Sequence, residues 1–366
     1  MMTVMRWFLM ALALLLLSSS PWEAQQAPRE VPCPPKEPNS FCVLRGPLGY
    51  NMRPWIAFSP DGQWLATSWG PWLGQEGDPM IWVWRIADGK LATRLQLSEG
   101  IWEVRFSPDS QLLASPTEEA IRIWEVGTWK EIHTLRLPDV NGPLAFSPTG
   151  QWLTVRACRF ERDPLCTQPA VILVDPYKGV EVKRIERAHQ EIITDLAFLS
   201  EEILVTGSLD PFIKFWQVPA GRLTRSIYCV CGVMEFEISP NKKLLTVIDF
   251  WGRIFKILDV TSGEQLGAIR ENFVGLSFSP NGQFLAGSQR YSQQEDRKLL
   301  LDIWRVKEAV KDWQVARTLH IPVPNPANHF LGGLSFSPDG KILAIHIWNA
   351  AGVEQSIQLW YVGDLR

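Results

Sequence analysis

FSPDGQWLA, running from Phe58 to Ala66, is the first of seven related phrases, and their spacing decides the architecture. The others are FSPDSQLLA from Phe106, FSPTGQWLT from Phe146, FLSEEILVT from Phe198, ISPNKKLLT from Ile238, FSPNGQFLA from Phe278 and FSPDGKILA from Phe336. Successive starts lie 48, 40, 52, 40, 40 and 58 residues apart, bracketing the roughly 40 to 45 residues of one four-stranded repeat. Within the phrase, Pro supplies the fixed φ of a turn and Gly the positive φ that follows it. Each copy therefore reads as a hairpin turn between two strands, with Ile56 and Phe58 before the first turn and Leu65 after it.

A second phrase follows every copy: MIWVWRI at Met80, IRIWEV at Ile121, VILVDP at Val171, IKFWQV at Ile213, FKILDV at Phe255, LDIWRV at Leu301 and IQLWYV at Ile357. It reads as a third strand. A polar turn such as Ala87-Asp88-Gly89-Lys90 and a segment such as KEIHTLRL from Lys130 complete each unit with a fourth. One such sheet cannot bury both of its faces alone, whereas seven stacked face to face around an axis can. The expected fold is all-β, a seven-bladed β-propeller of four-stranded antiparallel blades. The last copy ends at Arg366, just after its third strand, so its fourth strand must come from elsewhere. SFCVLRGP, residues 40–47, resembles the other fourth strands and precedes the first copy. It is expected to complete the last blade and close the ring, hiding an edge that would otherwise invite aggregation.

The alternation of FSPDG with IxxWxV resembles the WD-repeat family over residues 40–366. Trp84, Trp124, Trp216, Trp304 and Trp360 occupy the family's tryptophan position, while Val174 and Leu258 replace it in blades three and five. The resemblance implies a hydrogen-bonded tetrad of His, Ser or Thr, Asp and Trp, which the fourth copy matches with His189, Thr206, Asp210 and Trp216. Such a buried network is expected to be structural, since each polar group finds its partner only in the correct register.

The N-terminus reads as an export signal: Arg6 precedes an apolar run from Trp7 to Leu17, then Ser18, Ser19, Ser20 and Pro21. Residues 1–24 are expected to be a signal peptide or an uncleaved anchor, and 25–39 a flexible leader rich in Pro, Gln and Glu. The location expected is periplasmic or extracellular, with no stable membrane insertion if the signal is removed. A net charge of -3 offers no electrostatic footprint for nucleic acid.

Six cysteines in an exported chain favour disulfides over metal or redox chemistry. Spacing suggests local staples, Cys158 with Cys166 across an insertion in the third blade, and Cys33 with Cys42 between leader and closing strand. Cys229 and Cys231 form either a strained pair, free thiols or crossed bridges.

The loops between second and third strands, and those between blades, fall at the same end of the ring. Trp69, Trp72 and Trp348 lie there in the first and last blades, which closure makes neighbours. They are read either as an exposed partner-binding patch or as rings folded over neighbouring loops. The motifs HExxH, GxSxG, GxGxxG and the P-loop are not found. Inner-strand segments such as WIAF, VRFS, LAFS and LSFS read as mostly apolar and small. The expected function is a non-catalytic, cofactor-free, monomeric scaffold for a protein or envelope component. The alternative is a propeller hydrolase or lyase with its site at the channel mouth.

Overall fold

The computed structural model describes residues 29–38, 40–45, 55–69, 79–117, 120–137, 139–158, 166–229, 232–249, 254–270, 273–291, 298–307, 313–349 and 355–365. The expected signal segment, Trp72 and Cys231 lie outside them. Strands order into seven blades, and in six of them the four antiparallel strands hydrogen-bond in sequence order from the inner to the outer strand. Blade 1, for example, comprises Ile56–Phe58, Trp64–Trp69, Met80–Arg85 and Lys90–Gln96. Third strands are buried on both faces, as Ala170–Asp175 illustrates in blade 3. Outer strands such as Lys90–Gln96 alternate exposed with half-buried residues, as a strand with one wet face must.

The turn phrase works through its serine as well as through Pro and Gly. In blade 1 the Ser59 hydroxyl donates to Asp61 Oδ1 at 2.5 Å and accepts the Trp64 main-chain N–H at 2.9 Å, while Gly62 takes φ 72°. The hydroxyl thus holds both ends of the hairpin loop. Ser107 with Asp109, Ser239 with Asn241, Ser279 with Asn281 and Ser337 with Asp339 repeat the arrangement.

Apolar residues form seven buried clusters, and each spans the boundary between two blades. The core is therefore a ring of inter-blade seams. Each third-strand tryptophan faces the blade before its own: Trp124 joins the seam of blades 1 and 2, Trp216 that of 3 and 4, and Trp304 that of 5 and 6. Trp360 joins the seam of 6 and 7, and Trp84 that of 7 and 1. Val174 and Leu258 occupy the same position in the two remaining seams.

Strand Ser40–Arg45 completes blade 7. It pairs antiparallel with Gln355–Tyr361 from Phe41 opposite Trp360 to Arg45 opposite Ser356, and the Phe41 and Trp360 rings stack at 4.9 Å. The leader is more structured than its composition suggests. Arg29–Glu30 runs parallel to the start of Ser40–Arg45 as a fifth strand of blade 7, and Arg29 pairs with Glu37 at 2.8 Å. The turn between these strands is tied down by the Cys33–Cys42 disulfide, whose Cα atoms lie 5.3 Å apart. A composition-based reading does not register such a covalent constraint. Cys158 and Cys166 form the second disulfide, at 5.7 Å between Cα atoms.

The Cys33–Cys42 bridge also sits on a blade boundary. At other junctions, the glycine of the turn between third and fourth strands abuts the outer strand of the preceding blade. Gly179 meets His133, Gly221 meets Lys183 and Ile185, and Gly263 meets Ile227 and Arg225. In blade 1 this glycine is Gly89, and it meets Cys33. Cys42 stands in the outer-strand register of His133 and Lys183, each lying opposite the residue before the tryptophan position. The disulfide thus fills, at the ring-closing junction, the place that long side chains fill elsewhere.

Candidate functional site

In blade 4 the four tetrad residues form one buried chain. The Trp216 indole N–H donates to Thr206 Oγ1 at 3.0 Å, and the Thr206 hydroxyl donates to His189 Nε2 at 2.7 Å. His189 Nδ1–H then donates to the Asp210 carboxylate at 2.9 Å. This direction of donors requires a neutral imidazole, and burial does lower the His189 pKa against the opposing pull of Asp210. Burial works against ionised Asp210, yet bonds from His189 and the Gln190 main-chain N–H outweigh it and hold the carboxyl below its ordinary value. Every polar atom of the chain faces another blade atom, so the network locks register and offers nothing to a substrate.

Trp69 is not at an exposed rim. It ends the second strand of blade 1 with 1% exposure, its indole N–H donates to Thr67 Oγ1 at 2.6 Å, and its ring meets His346 of blade 7 edge-on at 6.1 Å. Thr67 stands in the register of Thr206, each two residues past the leucine opposite the tryptophan. Trp69 therefore takes the hydroxyl that Trp216 takes in blade 4, and Trp84 Nε1 is left without an acceptor. Trp348 is not in a loop either: strand Ile342–Asn349 extends through it, and it stacks half-buried on Phe330 at 4.9 Å. Of the two readings of these tryptophans, the geometry of Trp69 and Trp348 is that of packing.

Among the described residues, exposed apolar side chains toward the loop end include Tyr228, Met234 and Trp55. Tyr228 closes the outer strand of blade 4 with 64% exposure and meets Phe212 at 5.6 Å. Met234, the second residue of the inner strand of blade 5, is 40% exposed, and Trp55, just before that of blade 1, is 38% exposed. These residues escape motif reading because they sit at strand ends, where pattern does not separate a packed ring from an exposed one. Cys229, next to Tyr228, is buried, and Lys256 Nζ lies 3.8 Å from its sulfur.

Around the axis the inner strands are not uniformly apolar and small. Three residues before each turn phrase stand Trp55, Glu103, Pro143, Asp195, Glu235, Gly275 and Gly333, and one residue before it Ala57, Arg105, Ala145, Ala197, Glu237, Ser277 and Ser335. Blades 2, 4 and 5 thus contribute four carboxyls and one guanidinium. Each carboxyl accepts a main-chain N–H of the following blade: Glu103 from Leu144 at 3.0 Å, Asp195 from Phe236 at 2.9 Å, Glu235 from Leu276 at 3.1 Å and Glu237 from Phe278 at 2.9 Å. Those N–H groups lie on inner-strand edges that have no neighbouring strand, and the carboxyls satisfy them.

Burial pushes the Glu103 carboxyl up despite Arg105 bonded at 2.5 Å. It drives Asp195 well above the carboxylate range, with Glu235 adding to the effect, and raises Glu237 to about 7. Burial opposes the charge on Arg105, but Glu103, Asp195 and Glu237 outweigh it and raise its pKa. Among the described residues no three His, Cys, Asp or Glu side chains converge as metal ligands.

The WD domain, G-beta repeat family matches residues 180–217, which contain the tetrad of blade 4. Protein tipD of Dictyostelium discoideum is 24% identical over 245 residues, 63% of this chain and 37% of tipD. DDB1- and CUL4-associated factor 10 of Homo sapiens is 28% identical over 115 residues, 30% of this chain and 19% of that protein. The chain thus spans well under two thirds of the length of these curated relatives. The solved RRP9 WD40 repeats superpose with a TM-score of 0.70 at 16% identity, over 88% of this chain and 97% of that one. With a matched repeat in blade 4 and seven blades closed around an axis, this chain is a WD-repeat β-propeller.

Proposed function

We propose that this propeller is a non-catalytic scaffold of the exported fraction or cell envelope that docks a protein partner on the loop end of blades 4 and 5. The observation carrying the reading is the exposure of Tyr228 and Met234 on either side of the short connection between those blades. Exposed aromatic and methionine side chains are what protein interfaces draw on. The human relative, named as an associated factor of DDB1 and CUL4, fits a scaffold role. Two disulfides and the apolar run from Trp7 to Leu17 support export.

The convergence of Glu103, Arg105, Asp195, Glu235 and Glu237 bears on the second reading, a hydrolase or lyase at the channel mouth. Their bonds to main-chain N–H groups favour a structural duty for them. Affinity capture from the exported fraction with wild-type chain and a Tyr228→Ser, Met234→Ser variant tests the proposal. The variant is expected to keep its melting temperature and lose a specific partner about tenfold, the scale of a single interface anchor. Equal capture by both proteins contradicts the docking surface. Recovery of the wild-type chain only from the cytoplasm contradicts export.

A further inference from the structure

We propose that the loop end of the seam between blades 7 and 1 binds the main chain of an extended peptide from a partner protein, through the Gln355 carboxamide and the Trp348 indole N–H. This site is separate from the surface of blades 4 and 5 and does not rest on it. It begins from two polar groups that the fold buries without using. Gln355 is 5% exposed, and neither its Oε1 nor its Nε2 has a hydrogen-bond partner among the described residues. The same holds for Trp348 Nε1. Folded chains pair nearly all such atoms, because a buried donor or acceptor left alone carries its full desolvation cost.

The two residues share one face of the blade. Trp348 and Gln355 stand opposite one another on the second and third strands of blade 7, and Phe330 of the inner strand stands opposite Trp348. Alternation along Gln355–Tyr361 puts Gln355 on the side of Ile357 and Leu359, which pack in the seam with blade 1. Along Ile342–Asn349 it puts Trp348 on the side of His346, whose ring meets Trp69 of blade 1. The row Phe330, Trp348 and Gln355 therefore crosses three strands at the loop end of this seam. Phe330 and Trp348 are half-buried, so the row borders solvent. Stacking on Phe330 holds the Trp348 ring in place without using its N–H.

The unused atoms state what they would take. A carboxamide whose oxygen and nitrogen are both unpaired suits a group that offers a donor beside an acceptor, and the indole N–H suits a second acceptor. A peptide main chain supplies this set, with an N–H and a carbonyl at every residue. In the complex Gln355 Nε2–H donates to one peptide carbonyl, Gln355 Oε1 accepts a peptide N–H, and Trp348 Nε1–H donates to a neighbouring carbonyl. The row carries no charge, which matches a neutral main chain rather than an ionic ligand.

The test uses the capped peptide acetyl-glycyl-glycine methylamide, which offers main chain without side chains, in an NMR titration of the full chain. The Trp348 indole N–H resonance is identified by its loss in Trp348→Phe. It is expected to shift downfield and saturate, with half-saturation on the order of millimolar for so small a probe. Binding is expected to weaken about tenfold in Gln355→Leu and severalfold in Trp348→Phe, the latter read at the Gln355 side-chain amide. Gln355→Leu is expected to melt no lower than wild type, because it replaces atoms that bond nothing in the free protein. No saturable shift in the wild type means that ordered water alone meets these atoms, and overturns the proposal. A larger shift with N-acetylglucosamine, which carries one amide on a sugar, overturns the peptide assignment. A Gln355→Leu chain that melts well below wild type, or does not fold, also overturns it, because the amide then had a partner to lose.

Discussion

The Ser147 hydroxyl of blade 3 donates to the Glu201 carboxylate of blade 4 at 2.7 Å, across a blade boundary. Every other turn serine of this phrase finds its acceptor in its own turn. Blade 3 has Thr149 where blades 1, 2, 5, 6 and 7 have Asp or Asn, and blade 4 has Leu-Ser-Glu-Glu in place of the turn phrase. The missing carboxylate of one turn is supplied by the surplus carboxylate of the next, and Glu201 also accepts the Thr149 N–H at 2.9 Å.

Glu201→Ala is therefore expected to cost about 1 to 2 kcal/mol, the scale of a charged hydrogen bond lost from a buried hydroxyl. Thr149→Asp added to it is expected to recover most of that loss, because Asp would take the place that Asp61 takes in blade 1. A double-mutant cycle by urea unfolding reads the coupling. Additive effects would contradict the compensation.

His189→Ala is expected to cost about 3 kcal/mol, since it strands Asp210 and Thr206 in the interior. The same residue has a pH signature. Burial lowers its pKa below the value in the unfolded chain, so the unfolded chain takes the proton first. Its contribution is complete above about pH 6.5 and is lost as the pH falls below that value. This runs opposite to the axis carboxyls, whose values burial raises, so the Asp195→Asn, Glu237→Gln background is the one in which to see it. Stability there is expected to decline from pH 6.5 to 5, and His189→Gln is expected to flatten the decline.

Gly89 tests the closing junction from the blade 1 side. It takes φ 66°, and a Cβ built on it lies 2.3 Å from Cys33 Cβ. Gly89→Ala combines left-handed strain with a clash against the disulfide, an expected cost of about 1 to 3 kcal/mol. In the Cys33→Ser, Cys42→Ser background the turn carrying residue 33 is no longer tethered and can move away, so the penalty of Gly89→Ala is expected to shrink toward the strain alone. Thermal melting of the four proteins supplies the comparison. Removing the bridge itself is expected to cost roughly 2.5 kcal/mol at most, given its short loop.

Trp69→Ala is expected to cost about 3 to 5 kcal/mol, as for other buried aromatic truncations. Tyr228→Ser, at a mostly exposed ring, is expected to stay within about 0.5 kcal/mol of wild type. Calorimetry of the two variants separates a packing tryptophan from a surface tyrosine. Equal melting temperatures would contradict the placement of Trp69.

The ring could be read from the sequence because one hairpin turn is written seven times in nearly the same letters. Its last strand could be found by arithmetic, since the final copy lacks a fourth strand and residues 40–47 precede the first copy. What escaped was set by side-chain direction. Trp69 follows Thr-Ser and precedes Gly-Pro, which reads as the start of a loop, yet a threonine hydroxyl draws its indole into the seam. The axis acids do not show in the four-residue segments WIAF, VRFS, LAFS and LSFS, which begin after the position of Glu103 and come from other blades than those of Asp195, Glu235 and Glu237. TDLAF and EFEIS carry the signal, with acids three residues and one residue before the turn phrase, at the two-residue period of a strand face. The Arg29–Glu30 strand is not legible in the leader's Pro-rich composition, whereas the cysteine spacing does point to the Cys33–Cys42 bridge that ties the leader down.

Closure of the ring by its own N-terminal strand is the central claim, and amide exchange of the Phe41–Arg45 segment tests it most directly. In a closed ring these residues pair with Ser356–Trp360, and those whose N–H groups point at that strand are protected well beyond the rate of an open chain. Exchange of residues 41–45 at the rate of an open chain, with Ser356–Trp360 still protected, would contradict it.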